Sequence, residues 1–376
     1  METVRRNKEI DMLNGSIWNK LPLFALPVAA TAVLSQLFNA SDVAIVGNFT
    51  GELRNVSVAA VGTNSAIIGL FVNLFVGISL GVNVVIANAI GRGERETVRR
   101  ATHTSILTAL LLGVAVTLLG EVLAPELLKL LRTPDDVFPY ALLYLRIYML
   151  GAPVILLYNF EAAIFRSAGD TKTPLIALAS SGVLNVLLNL FFVVVCNLSV
   201  MGVALASAIS QYISAFLILR RLFTCSTEYA LSMHEMRIDG VITKTVLMLG
   251  LPTALQNAIF AVANLFIQAA VNSFDTLMVE GNSAAANADA LIYDMMAAFY
   301  VACTTFMGQN LGAGKKERVM KSYKISVAYS FLIAFVGGVL LFFCGRPFLM
   351  LFSRDVDVID AGMKRLSIMA FSYCVS

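Results

Sequence analysis

Apolar residues run through this chain in long stretches separated by short polar breaks. Read from break to break, they give ten segments, roughly 21–47, 57–89, 101–124, 140–165, 174–196, 200–222, 241–272, 283–311, 322–345 and an unfinished one from about 361. A helix rises 1.5 Å per residue, so about 20 apolar residues cover the roughly 30 Å hydrocarbon core of a bilayer. The pattern therefore predicts an all-α polytopic membrane protein. Only the break at 223–240 is long, and it divides the chain into residues 1–222, holding spans one to six, and residues 241–376, holding spans seven to ten.

Composition agrees with the pattern. Of 376 residues, 58% are hydrophobic and 14% charged, with a mean hydropathy of +0.80, whereas soluble domains are about half apolar and about a quarter charged. The net charge of +3 is confined to loops and gives no footprint for nucleic acid. With the N-terminus inside, nineteen Lys and Arg residues fall on inside loops and five on outside ones. That asymmetry predicts a cytoplasmic N-terminus in the plasma membrane, a bacterial inner membrane being expected. The first twenty residues carry no apolar core of a secretory signal. Cys196, Cys225, Cys303, Cys344 and Cys374 show no metal or disulfide spacing and read as small buried hydrophobes. The partners expected are the lipid bilayer and a small organic molecule, with no cofactor beyond a coupling H+ or Na+ and a monomeric state.

Polar residues inside an apolar span are expensive, so they point to a wet path or to interhelical hydrogen bonds. In the first span Gln36, Asn39 and Asp42 recur at spacings of three along one face, and Pro27 removes a backbone donor and is expected to act as a kink or hinge. Span seven has no Asp or Glu but offers Gln256, Asn257, Asn264, Gln268 and Asn272, of which all but Asn257 share a face. In span eight Asp294 lies deep enough to face a cavity, while Asp289 is expected at the interface. Each has a plainer reading: Asp42 as a hydrated interfacial residue, Asp294 as a snorkelled or Lys-paired carboxylate.

The chain repeats itself. Pro27 and Asn39 recur as Pro252 and Asn264 at the same separation, and Asn88–Val98 (NAIGRGERETV) resembles Gln309–Val319 (QNLGAGKKERV), aligning Gly91 with Gly312 and Gly93 with Gly314. Six spans separate the copies, so the halves share one topology and are expected to be related by an axis along the membrane normal, enclosing a cavity. These glycines read as helix stops. Leu145-Arg146-Ile147 matches Lys364-Arg365-Leu366, which puts Ser376 in mid-helix of the repeat and predicts a second half with about ten of twelve spans present in all.

Together these residues carry a family resemblance. Pro27 with Asp42-x-x-x-x-Gly47, the loop Phe165-Arg-Ser-Ala-Gly-Asp-Thr-Lys-Thr-Pro174, and Gln309-Asn-Leu-Gly-Ala-Gly314 resemble the multidrug and toxic compound extrusion (MATE) transporters along essentially the whole chain. The resemblance implies two six-helix lobes, the second incomplete here, and export of organic, often cationic, compounds against protons or sodium. It implies that Asp42 is the coupling residue of the first lobe. The family's partner positions in span five, an Asn and four residues later an Asp, are here Asn185 and Asn189, and Ser207 stands where a Thr is common. With the second carboxylate missing, a proton is favoured over sodium, because a metal ion needs several oxygens and charge compensation, whereas burial alone promotes protonation of a carboxylate.

Other readings fare worse. Gly77-Ile-Ser-Leu-Gly81 fits a nucleophile elbow, but it lies within an apolar helix, where glycines four apart suit close helix packing, and His103 and His234 are expected at the inside surface, so no enzyme is predicted. Asp135-Asp136 is an isolated acidic pair. A lipid-linked-sugar flippase of related fold calls for a strongly basic cavity, against which the scarcity of cations in the spans counts. A non-transporting truncated remnant is the remaining alternative.

Overall fold

The computed structural model describes residues 9–271, 276–350 and 355–374. Its helices are α1 (Ile17–Phe49), α2 (Arg54–Arg92), α3 (Arg95–Leu130), α4 (Phe138–Met149), α5 (Ala152–Ser167), α6 (Lys172–Leu190), α7 (Ser199–Thr224), α8 (Gly240–Val271), α9 (Thr276–Gly312), α10 (Lys316–Leu349) and α11 (Val356–Ser372). No strand occurs among the described residues. Eight helices are long and apolar enough to span a bilayer, or nine spans if the bent pair α4–α5 is counted as one. The expected tenth span corresponds to α11, a helix of 17 residues. The cationic Arg5, Arg6, Lys8 and Arg354, counted for orientation, lie outside the described residues.

The segment 140–165, expected to be one straight span, is broken by 46° between α4 and α5. The cause is local. An unbroken helix would pair the Met149 carbonyl with the amide of residue 153, which is proline and has none. Thr117 Oγ1 donates to the Met149 carbonyl instead at 2.8 Å, and Tyr212 Oη donates to that of Leu150 at 3.0 Å. Gly113 makes room for the bend, since a Cβ there would lie 2.4 Å from Pro153 Cα. By contrast α1 continues as helix through Pro22 and Pro27, and Thr31 Oγ1 donates to the Pro27 carbonyl at 2.8 Å.

The two halves meet along a seam built by repeat-related helices: α2 crosses α9, flanked by α2 against α8 and by its counterpart α9 against α1. Gly77 and Gly81 serve close packing as expected, lying against Ala254 and against Val246 and Gly250 of α8. Gly93 and Gly314, with φ of +72° and +71°, end α2 and α9 as expected. Gly91 and Gly312 do not. They sit inside the last turns and let the helices touch, a Cβ at Gly91 lying 2.0 Å from the Gln309 carbonyl oxygen and one at Gly312 lying 2.1 Å from that of Asn88. On α1, Leu21, Phe24, Ala25 and Val28 pack against Ala298, Phe299, Ala302 and Phe306, with the Phe24 and Phe306 rings edge to face at 6.0 Å.

Polar bonds across the seam run from its middle to the basic end of the bundle. Asn257 Nδ2 donates to the Asn73 carbonyl at 3.2 Å, Thr305 Oγ1 to Asn83 Oδ1 at 3.0 Å and Gln309 Nε2 to the Ser167 carbonyl at 2.7 Å. The segment before α1 crosses this end. Ile10 N donates to the Gly169 carbonyl of the first half at 3.2 Å. From the second half, Arg318 donates to the carbonyls of Met12 and Gly15, each at 3.0 Å, and Lys315 to that of Leu13 at 2.9 Å. Arg318→Ala removes charge-assisted bonds worth roughly 1.5–3 kcal/mol each. Faster hydrogen exchange at the amides of residues 10–15 is the expected outcome; unchanged exchange would show that the bonds from Lys315 and Asn310 and the Ile10–Gly169 pair hold the segment without Arg318.

The linker between the halves is strapped to α3 by the pairs Arg95–Glu228, Arg99–Glu235 and Arg100–Asp239. His103, expected at the surface, is 1% exposed. Its Nδ1 faces the Arg99 carbonyl at 2.7 Å and its Nε2 accepts from Ser232 N at 3.0 Å. The loop charges also have structural work: Asp170 caps α6, accepting from Lys172 N and Thr173 N at 3.0 and 2.9 Å. None of the five cysteines is fully buried as expected: Cys196 and Cys344 are exposed, and Cys225, Cys303 and Cys374 are half-buried.

Candidate functional site

Asp42 comes from α1, and Asn185 and Asn189 from α6, one helical turn apart on one face. Gly182, one turn earlier on α6, holds the two helices close. A Cβ there would lie 1.8 Å from the Phe38 ring of α1, so glycine at this position leaves room for that ring against α6, one turn before Asp42. A π-helical turn, Phe191–Val195, follows Asn189, the kind of local widening found at functional sites. Ser207 arrives from α7.

These side chains form one buried cluster. Asp42 is 7% exposed, Asn185 5%, Asn189 0% and Ser207 6%. Asn189 Nδ2 donates to Asp42 Oδ1 at 2.5 Å and Ser207 Oγ to Asp42 Oδ2 at 3.0 Å. Behind them Asn185 Nδ2 donates to Ser207 Oγ at 3.3 Å, and Asn189 Nδ2 also reaches Asn185 Oδ1 at 3.2 Å. Each carboxylate oxygen thus has a donor, and both donors are neutral. Asn189 Oδ1 is buried with no partner, an acceptor held beside a carboxylate.

The remaining expected residues divide. Gln36 and Asn39 of α1 and Gln256 and Asn264 of α8 are exposed and do not join the Asp42 cluster. Gln36 reaches across the seam to Asp294 of α9, whose Oδ2 is buried without a partner. The Gln268 side chain and Asn272 lie outside what is described. Asp289, expected at the interface, is ion-paired: Arg365 Nη2 donates to its Oδ2 at 2.6 Å, and Tyr373 Oη bonds its other oxygen.

One acidic residue escaped the sequence reading. Glu161 on α5 is 0% exposed and neither of its carboxylate oxygens has a partner in the described structure. It is the sole Asp or Glu in the segment 140–165, so the rule that singled out Asp42 would have found it. Among the described residues no group of three or more His, Cys, Asp or Glu side chains is placed to hold a metal ion. The cluster offers one negative charge, amide and hydroxyl dipoles, and no paired acid and nucleophile for covalent chemistry.

Comparison with known proteins bears on both halves. The chain is 26% identical over 373 residues to the probable multidrug resistance protein YpnP of Bacillus subtilis, covering 97% of this chain and 81% of that protein. It is 26% identical over 354 residues to the probable multidrug resistance protein NorM of Thermotoga maritima, covering 92% and 74%. A solved outward-facing multidrug resistance MATE family transporter superposes with a TM-score of 0.89 over 98% of this chain and 82% of that one, at 20% identity. The MatE family model matches residues 27–191 and 252–376, which include Asp42, Asn185 and Asn189 and both copies of the repeat; the chain belongs to the MatE family of multidrug efflux transporters.

Proposed function

We propose that this protein exports small organic cations across the plasma membrane in exchange for protons, with Asp42 carrying the coupling proton. The observation that supports this most is the Asp42 cluster: one buried carboxylate whose oxygens are satisfied by neutral donors, beside the unpartnered acceptor Asn189 Oδ1. An amide carries both a donor and an acceptor. Asn189 therefore serves Asp42 in either state, donating to the carboxylate or accepting from the carboxylic acid. A sodium ion would need these oxygens turned toward it while the N–H and O–H groups turned away, with one charge to compensate it.

In this reading residues 1–222 and 241–376 act as two lobes joined by the linker 223–240, and the basic end of the bundle is cytoplasmic. The arrangement is closed at that end, where the polar bonds across the seam gather. Exposed Gln36, Asn39, Gln256 and Asn264 lie on the apolar length of α1 and α8, and facing lipid they would be costly. They are accounted for if the opposite half of the seam is a water-filled cleft that receives substrate. Protonation of Asp42 removes the charge that attracts a cation, and Pro27, whose missing amide leaves α1 one hydrogen bond short, lets the outer part of that helix adjust. Coupling follows only because proton and substrate bind the two arrangements with different affinities.

The test is uptake of a fluorescent organic cation into inverted vesicles carrying the protein. An inside-acidic pH gradient in sodium-free buffer is expected to drive accumulation, and a sodium gradient at uniform pH is not. Accumulation driven by sodium alone would overturn the choice of ion, and indifference to both gradients would overturn the coupled mechanism.

A further inference from the structure

Where α1 meets α10 at the basic end, a groove of about 550 Å³ is lined by Trp18, Lys316, Met320, Lys321, Lys324 and Ile325, together with Glu317. Its chemistry comes from helical spacing. Lys316, Met320 and Lys324 recur every four residues, as do Glu317, Lys321 and Ile325 one position round, so α10 presents two adjacent rows of mixed cationic and apolar character. All three lysines are exposed, and none of their ammonium groups appears in an ion pair or hydrogen bond of the described structure, in contrast to the side chains of the neighbouring Lys315 and Arg318. The facing wall is aromatic and fixed. Trp18 is 48% exposed, its ring meets Tyr329 at 5.3 Å, Tyr329 Oη donates to the Trp18 carbonyl at 3.0 Å, and Phe299 stacks behind Tyr329 at 5.4 Å.

A half-exposed tryptophan beside unpaired lysines at the end of an apolar bundle is the chemistry of a bilayer interface. Amphipathic rings settle at headgroup depth, and basic recesses between spanning helices take anionic lipid headgroups. We propose that this groove binds the headgroup of an anionic phospholipid of the adjacent leaflet. The three ammonium groups would meet the phosphodiester, Met320 and Ile325 would meet the start of the acyl chains, and Glu317 would disfavour a second charge and leave a net of two cations. Because Trp18 comes from the first half of the chain and the lysines from the second, the lipid would sit on the seam. The inference does not rest on the choice of substrate or coupling ion.

Trp18 is the only tryptophan in the chain, so its fluorescence reports the groove directly. The protein is placed in phosphatidylcholine vesicles containing either phosphatidylglycerol or phosphatidylcholine with a nitroxide quencher near the top of the acyl chain. Phosphatidylglycerol is expected to quench Trp18 with roughly 25-fold higher relative affinity, each of the two net cations contributing about fivefold. The variant K316Q/K321Q/K324Q, with Trp18 emission in pure phosphatidylcholine as its control for folding, is expected to bring the ratio back to about one. Equal quenching by both lipids in the unaltered protein, or a preference surviving in the triple variant, would overturn the proposal. So would full displacement by soluble glycerol phosphate, which would show a site for a free phosphate ester. Should the triple variant misfold, raised salt applied to the unaltered protein provides the same test, since screening must erode the preference.

Discussion

Asp42→Asn is expected to abolish gradient-driven accumulation of substrate while leaving the protein folded. Asparagine has the shape of aspartate, its Oδ1 still accepts from Asn189 Nδ2, and its amide donates to Ser207 Oγ, a hydroxyl that both donates and accepts. The cluster therefore keeps its bonds, and a change of about 1 kcal/mol or less in stability is expected. The group that titrates is gone. A proton gradient performs work on the transporter only through a site that binds the proton differently in its two arrangements, so uptake driven by an acidic vesicle interior should fall to that of empty vesicles. Exchange of internal for external substrate, which needs no proton, should persist. Asn189→Asp is the complementary change. It places a second carboxylate where Nδ2 now lies 2.5 Å from Asp42 Oδ1, and like charges so close require a shared proton or a bound cation. Sodium dependence is expected to appear in that variant. If Asp42→Asn retained gradient-driven uptake, the coupling group would have to be sought at Asp294 or Glu161, each of which carries a buried carboxylate oxygen without a partner.

The parts of this site that were legible in the sequence share a physical property: they violate the local pattern. A carboxylate and a proline each stand out in an apolar run, and so Asp42 and Pro27 could be named before any helix was placed, whereas Asn185 and Asn189 came from the family resemblance. Ser207 could not be found that way, because serine is common in spans; the family resemblance drew attention to it, and its bond to Asp42 depends on how α7 packs. The span lengths were legible for the same reason as the carboxylates, from hydrophobicity alone, although the break at Gly151–Pro153 inside one of them was missed.

What was not legible depended on partners distant in the chain. The ion pair of Asp289 could not be foreseen because Arg365 is 76 residues away and nothing local predicts their meeting. His103 is expected at the inside surface, and its burial there was not legible because the linker folds back over it and Ser232 N occupies its ring nitrogen. A glycine near a helix end has two readings, a stop that needs a left-handed φ and a place where another backbone comes close. The sequence of the repeat offers one glycine for each, and only the position of the opposing helix tells which is which. Gly93 and Gly314 are the stops; Gly91 and Gly312 are the contacts.

Those contacts carry the second large effect. Replacing Gly91 and Gly312 together by alanine is expected to open the basic end of the seam. Each new methyl would meet backbone, 2.0 Å from the Gln309 carbonyl oxygen and 2.1 Å from that of Asn88, and backbone cannot rotate aside as a side chain can. Overpacking of this kind costs about 1–3 kcal/mol at a site, and every 1.4 kcal/mol is tenfold in an equilibrium. The two sites share one crossing, so their costs will not simply add, and a shift of roughly ten- to a hundredfold away from the closed arrangement is expected. Spin labels at Glu96 on α3 and Tyr323 on α10, both exposed, in a chain stripped of its five cysteines, would report it as growth of a longer distance between the halves. Gly62→Ala, where a Cβ meets nothing within 4 Å, should leave the distances unchanged. An unaltered distribution in the double variant would mean that the seam yields by a small slide and that closure does not depend on the glycines. A shift to the open form would instead show that the repeat keeps small residues here for closure, the step by which a binding site facing one side of the membrane is sealed from the other.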